Sequence, residues 1–182
     1  MKRQTTIRLV LTALFTALSV VSIMLFRIPL IPAAPFLEYD MADVIVILCT
    51  LLLGTASGGV SLFIVCIIQA FLLGGNGIIG FIMHFVSSGA MILIIGLFCR
   101  KNNSWTRLAI GAAFATVAMT ALMIPLNLVF TGMFMGTPMS VVVSMLVPAI
   151  IPFNLLKGVI NCTAGILLYK AFSPLYQKLQ RY

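Results

Sequence analysis

Six long apolar stretches run along the chain, and they decide what kind of protein it can form. A helix needs about 20 apolar residues to cross the roughly 30 Å hydrocarbon core of a bilayer. Only 8% of the 182 residues are charged, whereas soluble domains carry about a quarter. The sequence therefore predicts an all-α integral membrane protein, a single domain over residues 1–182, with six transmembrane helices. The predicted spans are residues 9–26, 41–55, 58–73, 78–99, 108–131 and 148–172.

The basic residues indicate how the chain is threaded through the membrane, because Lys and Arg concentrate in short cytoplasmic loops. With a cytoplasmic N-terminus, nine of the eleven basic residues fall in predicted cytoplasmic segments. The exterior keeps only Arg27, and Lys157 lies inside the sixth span. We therefore predict that both termini are cytoplasmic and that segments 27–40 and 132–147 are exterior. The nine residues are Lys2, Arg3, Arg8, Arg100, Lys101, Arg107, Lys170, Lys178 and Arg181.

The sequence contains no pattern typical of an enzyme. It has no nucleophile elbow, no paired His and Glu metal motif and no phosphate-binding loop for ATP. Each of the four cysteines lies in an apolar run, where cysteine usually behaves as a small hydrophobic residue, so we expect no disulfide and no metal site. We predict no catalytic residues, and energy for any active transport must come from another protein. The cysteines are Cys49, Cys66, Cys99 and Cys162.

All three acidic residues, Glu38, Asp40 and Asp43, fall within six positions at the start of the second predicted helix. Asp40 and Asp43 can cap that helix by accepting hydrogen bonds from its free backbone amides and by opposing its dipole. The preceding apolar segment, residues 28–36, contains three prolines. We expect this stiff segment to fold over the helix ends as a lid.

Lys157 costs the most free energy to place in a membrane, because its charged side chain lies about nine residues into the sixth predicted helix. Asn154 and Asn161 share its helix face, since the three positions are spaced i, i+3 and i+7. Ionisable residues inside a membrane mark functional sites by default. A structural role, in which Lys157 bonds the loop carboxylates, remains open and can coexist with function. No acidic residue is predicted deep in another helix, which argues against an ion or proton path.

Other polar residues fall near the exterior ends of the predicted helices. Asn127, Gln69, His84 and Ser87 can each simply bond a neighbouring helix. Together with Lys157 and the acidic loop they predict an outward-facing pocket for a small molecule, with apolar walls and few orienting polar groups. The expected aromatic wall residues are Phe36, Tyr39, Phe81, Phe85, Phe130 and Phe153.

Ala13 and Ala17 lie one turn apart on the first predicted helix. Such a spacing of small residues lets another helix approach closely. On the pattern alone, internal packing explains the pair better than a partner protein does.

Several segments resemble the substrate-binding S components of energy-coupling factor (ECF) vitamin transporters, most closely their riboflavin-specific, RibU-type members. The segments are PFLEYD at 35–40 with Asp43, GFIMHF at 80–85, IPFNLLKG at 151–158 and LYK at 168–170. The likeness covers most of the chain. It implies six helices in a bacterial cell membrane and an outward pocket capped by the first loop. It also implies a complex with a transmembrane coupling subunit and two cytoplasmic ATPases, with Ala13 and Ala17 docking on the coupling subunit.

The resemblance also assigns binding residues by position. It places Asn154 and Lys157 on the flavin and Asn127 as a further contact. One departure is His84, which stands where the family pattern has asparagine. Amides suit a flavin, whose ring edge alternates carbonyl, N–H and carbonyl, and aromatic side chains suit its faces. The lid residues are Leu37, Glu38, Tyr39 and Asp40.

The leading hypothesis is a riboflavin-binding subunit, without enzymatic activity or a cofactor of its own. Riboflavin is bound outside the cell, and transport follows when partner subunits hydrolyse ATP. One alternative keeps the family and changes the ligand to another vitamin or a precursor. The other is a small membrane scaffold protein in which Lys157 only holds the loop in place.

Overall fold

Apolar helices make up most of the structure. The computed structural model of the chain describes residues 2–32, 34–99, 103–136 and 138–181. A π-helical turn, Leu146–Ile150, joins the last two helices into one α6–α7 unit. The other elements, in chain order, are α1 (Lys2–Leu25), β1 (Arg27–Pro29), β2 (Glu38–Asp40), α2 (Ala42–Leu53), α3 (Thr55–Leu72), α4 (Gly77–Cys99), α5 (Trp105–Met135), α6 (Met139–Met145) and α7 (Ile151–Arg181).

Five helical units in the described part of the chain are long and apolar enough to cross a membrane: α1, α3, α4, α5 and α6–α7. Helix α2 is apolar but has only 12 residues. At 1.5 Å per residue it is about 18 Å long, less than the roughly 30 Å hydrocarbon core. The predicted class is therefore confirmed in a coarser form, as a mainly helical membrane fold with five or six apolar helices.

Several predicted boundaries are wrong. Segment 132–147, which falls between the fifth and sixth predicted spans, is largely helical, because α5 continues to Met135 and α6 runs from Met139 to Met145. Helix α7 runs past the predicted end at residue 172. Pro148, the predicted start of the sixth span, lies in the π-helical turn inside the α6–α7 unit, where its ring and its missing N–H interrupt regular α-helical hydrogen bonding. The gap between the second and third predicted spans, 41–55 and 58–73, moves to the single residue Gly54, whose φ of 98° suits glycine, because α2 ends at Leu53 and α3 begins at Thr55.

The first loop contains a short hairpin, which the purely helical prediction omitted. Strands β1 and β2 pair antiparallel, with Arg27 opposite Asp40 and Pro29 opposite Glu38. Proline disfavours helix at its own position and pushes the preceding residue toward extended backbone. The proline-rich loop therefore forms extended structure, and β2 places Asp40 just before the start of α2.

Helix α2 lies at the centre of the fold, in contact with α1, α3, α4 and α7. Nine of its twelve residues are buried. Because neighbours surround it on all sides, even Asp43 in its first turn is completely buried. A carboxylate in such a place requires partners from the surrounding helices.

Helix α7 approaches α2 closely at Gly165. A Cβ atom there would lie 2.7 Å from Cγ2 of Ile47, whose side chain is fully buried. Gly165→Ala should therefore destabilise the protein by about 1–3 kcal/mol, as overpacking of a core does. Thermal unfolding in detergent measures the loss. Gly59→Ala is the control, because its Cβ meets open space and alanine favours helix by up to about 1 kcal/mol. Equal melting temperatures for the two variants would contradict the packing argument.

Candidate functional site

A cavity of about 390 Å³ lies between the hairpin and helices α3, α4, α5 and α7. Small-molecule sites commonly measure about 300–1,000 Å³. Phe36, Phe130 and Phe153 contribute apolar walls. Seven of the eight residues that the sequence predicts for ligand binding line this cavity: Leu37, Glu38, Asp40, His84, Asn127, Asn154 and Lys157.

Lys157 lies between two carboxylates. Its Nζ is 3.6 Å from Oδ2 of Asp40 and 3.7 Å from Oδ2 of Asp43, and all three side chains are buried. The expectation that no acidic residue lies deep beside this lysine is therefore wrong. The reason is that α2 is short and enclosed, so its first turn lies at the depth of Lys157.

The two carboxylates have different hydrogen-bond partners. Asp40 caps α2, since its Oδ1 accepts from the backbone N–H of Ala42 at 3.1 Å. Asp43 accepts from side chains: Ser88 Oγ donates to its Oδ2 at 2.9 Å and Asn161 Nδ2 at 3.3 Å. The capping interpretation therefore holds for Asp40, while Asp43 joins α2 to α4 and α7.

His84 connects Asp43 to α3. Its Nε2 is 3.0 Å from Oδ1 of Asp43, and its Nδ1 is 2.7 Å from Oε1 of Gln69. The Nε2 of Gln69 in turn donates to Oδ2 of Asp40 at 3.1 Å. A continuous polar network therefore runs from the hairpin through α3 and α4 to α2.

The side-chain amides of Asn127 and Asn154 differ in the hydrogen-bonding atoms that they have available for a ligand. Asn127 uses both amide atoms within α5, because its Nδ2 donates to the carbonyl of Met123 and its Oδ1 accepts from Thr131. Asn154 donates through Nδ2 to the carbonyl of Ile150 at 2.7 Å. Its Oδ1 is buried and has no partner among the described residues. A buried acceptor without a partner is costly, so this oxygen suits a donor on a bound molecule.

Arg27 joins the hairpin to the connection between α3 and α4. Its guanidinium pairs with the carboxylate of Glu38, and its NH1 group donates to the carbonyl of Leu73 at 2.7 Å. Arg27 also lines the cavity. From the sequence, Arg27 was expected outside the membrane and without a role in the site, although it is the one basic residue of the predicted exterior.

Tyr39 lies apart from the cavity lining. Burial raises the pKa of its phenol, and the hydroxyl donates to Oδ1 of Asn161 at 3.0 Å. Tyr39 therefore binds Asn161, which in turn donates to Asp43.

Two expected wall residues, Phe81 and Phe85, also do not line the cavity. Their rings stack on each other with centroids 5.6 Å apart, and Phe63 of α3 packs edge-on against both. Ser87, a candidate from the sequence, bonds the carbonyl of Met83 in its own helix. Helix α4 therefore presents His84 to the cavity and Phe81 and Phe85 to α3.

The chain is similar to known proteins of one family. Residues 7–179 match the family model described as ECF transporter, substrate-specific component. The chain is 28% identical over 179 residues to the riboflavin transporter RibU of Streptococcus thermophilus, which covers 92% of this chain and 84% of that protein. It is 27% identical over 176 residues to the riboflavin transporter FmnP of Bacillus subtilis, with 92% of each covered. A solved S component of a bacterial ECF transporter superposes with a TM-score of 0.80 at 26% identity, over 94% of this chain and 98% of that one.

Proposed function

The chain belongs to the substrate-specific components of ECF transporters, and from this membership we propose that its cavity binds riboflavin for uptake. It is a transporter subunit and not an enzyme, and it is a multi-pass protein of the bacterial membrane that works with an energy-coupling module. The transported vitamin is its ligand, and no cofactor is implied. Riboflavin is proposed because several relatives are riboflavin transporters.

The observation that carries the proposal is the free Oδ1 of Asn154 beside Lys157 in one cavity wall. The two positions are three residues apart on α7, so they share a face. The edge of a flavin ring carries an N–H group between two carbonyl groups. The N–H can donate to Oδ1 of Asn154, while a neighbouring carbonyl accepts from the ammonium of Lys157. The phenylalanines of the cavity suit the apolar ring faces.

The proposed orientation places the cavity on the exterior and both termini in the cytoplasm. Lys170 supports it, because its Nζ donates to the carbonyl of Asn103 and lies 4.9 Å from the Trp105 ring centroid. These contacts join the basic C-terminal part of α7 to the start of α5, away from the cavity. Arg100 and Lys101, which belong to the same predicted cytoplasmic loop, lie outside the described residues.

The hairpin is proposed to act as the lid of the site. Leu37 and Glu38 line the cavity from this side, and Arg27 fastens the hairpin to the loop between α3 and α4. Release of bound vitamin would require these contacts to open.

The direct test is the absorption spectrum and the mass spectrum of whatever copurifies with detergent-solubilised protein. We expect flavin bands and a riboflavin mass, or saturable quenching of riboflavin fluorescence by ligand-free protein. A different copurifying vitamin would assign the chain to another ligand within the family. Absence of any small-molecule binding would favour the scaffold alternative.

Asn154→Leu should weaken riboflavin binding by about tenfold, since it removes an acceptor worth about 1–1.5 kcal/mol. Fluorescence titration measures the change. Asn127→Leu is the matched comparison, and its effect should be smaller because both of its amide atoms already have partners within α5. Equal losses in the two variants would argue against a special role for the free Oδ1 of Asn154.

Ala13 and Ala17 are proposed to dock on the transmembrane coupling subunit, which acts with two cytoplasmic ATPases. Both alanines are exposed on α1, so they do not pack inside the subunit. Ala13→Leu with Ala17→Leu should abolish copurification with the coupling module and riboflavin uptake, while riboflavin binding persists. Ala113→Leu, at an exposed position of α5, is the control. Uptake that survives the double substitution would contradict the docking surface.

A further inference from the structure

His84 is the only histidine in the chain, and each of its ring nitrogens faces an oxygen. Nε2 is 3.0 Å from a carboxylate oxygen of Asp43. An ionised carboxylate only accepts hydrogen bonds. Nε2 must therefore carry a hydrogen and donate a hydrogen bond to Asp43.

The orientation of Gln69 decides the state of the other nitrogen. Gln69 bridges His84 and Asp40, with one end of its amide 3.1 Å from the Asp40 carboxylate and the other 2.7 Å from Nδ1 of His84. Because the carboxylate needs a donor, the amide NH₂ faces Asp40 and the amide oxygen faces His84. Nδ1 must then donate as well. Only the imidazolium form of histidine donates through both nitrogens.

A positive His84 completes a balanced set of charges around the cavity. Two carboxylates and two cations then lie in one network, and buried charges are tolerated when they are paired in this way. Several elements contribute the groups that face the ring. They are Asp43 from α2, the thiol of Cys66 and the amide of Gln69 from α3, Lys157 from α7 and, through Gln69, Asp40 from β2.

This balance determines what Lys157 can do. Its Nζ lies 3.6 and 3.7 Å from the two carboxylates, beyond the usual length of an N–H to O hydrogen bond. Its N–H groups therefore remain available to a molecule in the cavity. With a neutral His84, Lys157 would be the only cation beside the two carboxylates. Its ammonium would then bind Asp40 and Asp43 more closely and would not be available to a ligand in the cavity.

We propose that His84 is a positioning residue, an imidazolium that neutralises Asp43 and thereby keeps the ammonium of Lys157 free to bind the ligand. The functional half of this inference rests on the proposed binding of riboflavin. The charge state of His84 does not depend on it.

The charge state is tested by nitrogen NMR on wild-type protein labelled with ¹⁵N-histidine and purified with a tag that contains no histidine. Because the chain has one histidine, the signals need no further assignment. We expect two protonated ring nitrogens at neutral pH, with and without riboflavin. A spectrum with one protonated nitrogen, which is the neutral ring, would overturn the inference even if riboflavin binds well.

The positioning role is tested by measuring riboflavin affinity against pH for wild type, His84→Gln and Gln69→Met. Wild-type affinity should fall as the pH rises, over the same range in which the NMR signal of His84 changes. Gln69→Met removes the acceptor of Nδ1–H, so both transitions should move together to lower pH. His84→Gln, whose side chain is neutral at every pH, should bind about tenfold more weakly at neutral pH, without that transition.

Two outcomes would overturn the positioning role: binding and NMR transitions that occur at different pH, or wild-type affinity in His84→Gln. If His84→Gln does not fold, the comparison of wild type with Gln69→Met still tests the positioning role. If wild-type protein binds no riboflavin at all, the proposed function fails, and the NMR result stands by itself.

Discussion

Replacing Lys157 with methionine is expected to lower riboflavin affinity by about ten- to a hundredfold. A hydrogen bond to a charged group contributes about 1.5–3 kcal/mol, and methionine keeps the apolar stem of lysine while removing the ammonium. Fluorescence titration with riboflavin measures the loss. An unchanged affinity would contradict the assignment of Lys157 to the ligand.

The single substitution also leaves two buried carboxylates with one cation fewer, so folding must be separated from binding. Lys157→Met combined with Asp43→Asn restores the balance of charge, because one negative and one positive group are removed together. This double variant should unfold at a higher temperature than Lys157→Met alone and still bind riboflavin weakly. Recovery of binding along with stability would mean that Lys157 serves the fold and not the ligand.

Replacing Asp43 with alanine is expected to destabilise the protein by about 3–5 kcal/mol, which is the usual cost of removing one partner from a buried ion pair. The change leaves Lys157 and His84 without a shared carboxylate and removes the acceptor of Ser88 and Asn161. For a chain of this size the loss corresponds to a fall in melting temperature of about 10 °C. Thermal unfolding in detergent measures it.

Glu38→Gln is the matched control for Asp43→Ala, because it removes an acidic charge whose side chain is 40% exposed and paired with Arg27. Exposed ion pairs contribute about 0–1 kcal/mol, so its melting temperature should hardly change. If the two variants are equally stable, the buried network around Asp43 does not hold the helices together.

Hydropathy predicted a helix well where a single helix, such as α4, is long enough to form a span without a second helical segment. The start of α4 is predicted within one residue and its end at Cys99. The prediction was wrong at the junction of α6 and α7, where Pro148 reads as a helix start although it lies in a π-helical turn. It also left residues 132–147 outside the predicted spans, although α5 continues to Met135 and α6 runs from Met139 to Met145.

The site was predicted in part, because helical spacing places residues on a face but does not say which faces meet. Asn154 and Lys157 could be paired from their spacing on one helix. The contact of Lys157 with Asp43 could not, since it depends on the depth of α2 inside the fold. Tyr39, Phe81 and Phe85 were expected in the wall on residue type alone, and their neighbours determine where their rings lie instead.

The shortness of α2 bears on how the protein enters the membrane during synthesis. A segment of 12 residues cannot hold a transmembrane position while it is alone in lipid, and its buried aspartate would oppose insertion further. Gly54 is the only residue between α2 and α3, so the two segments leave the ribosome almost as one. Stable insertion of α2 therefore depends on later helices, and Asp43 gains its lysine only when the last span is translated.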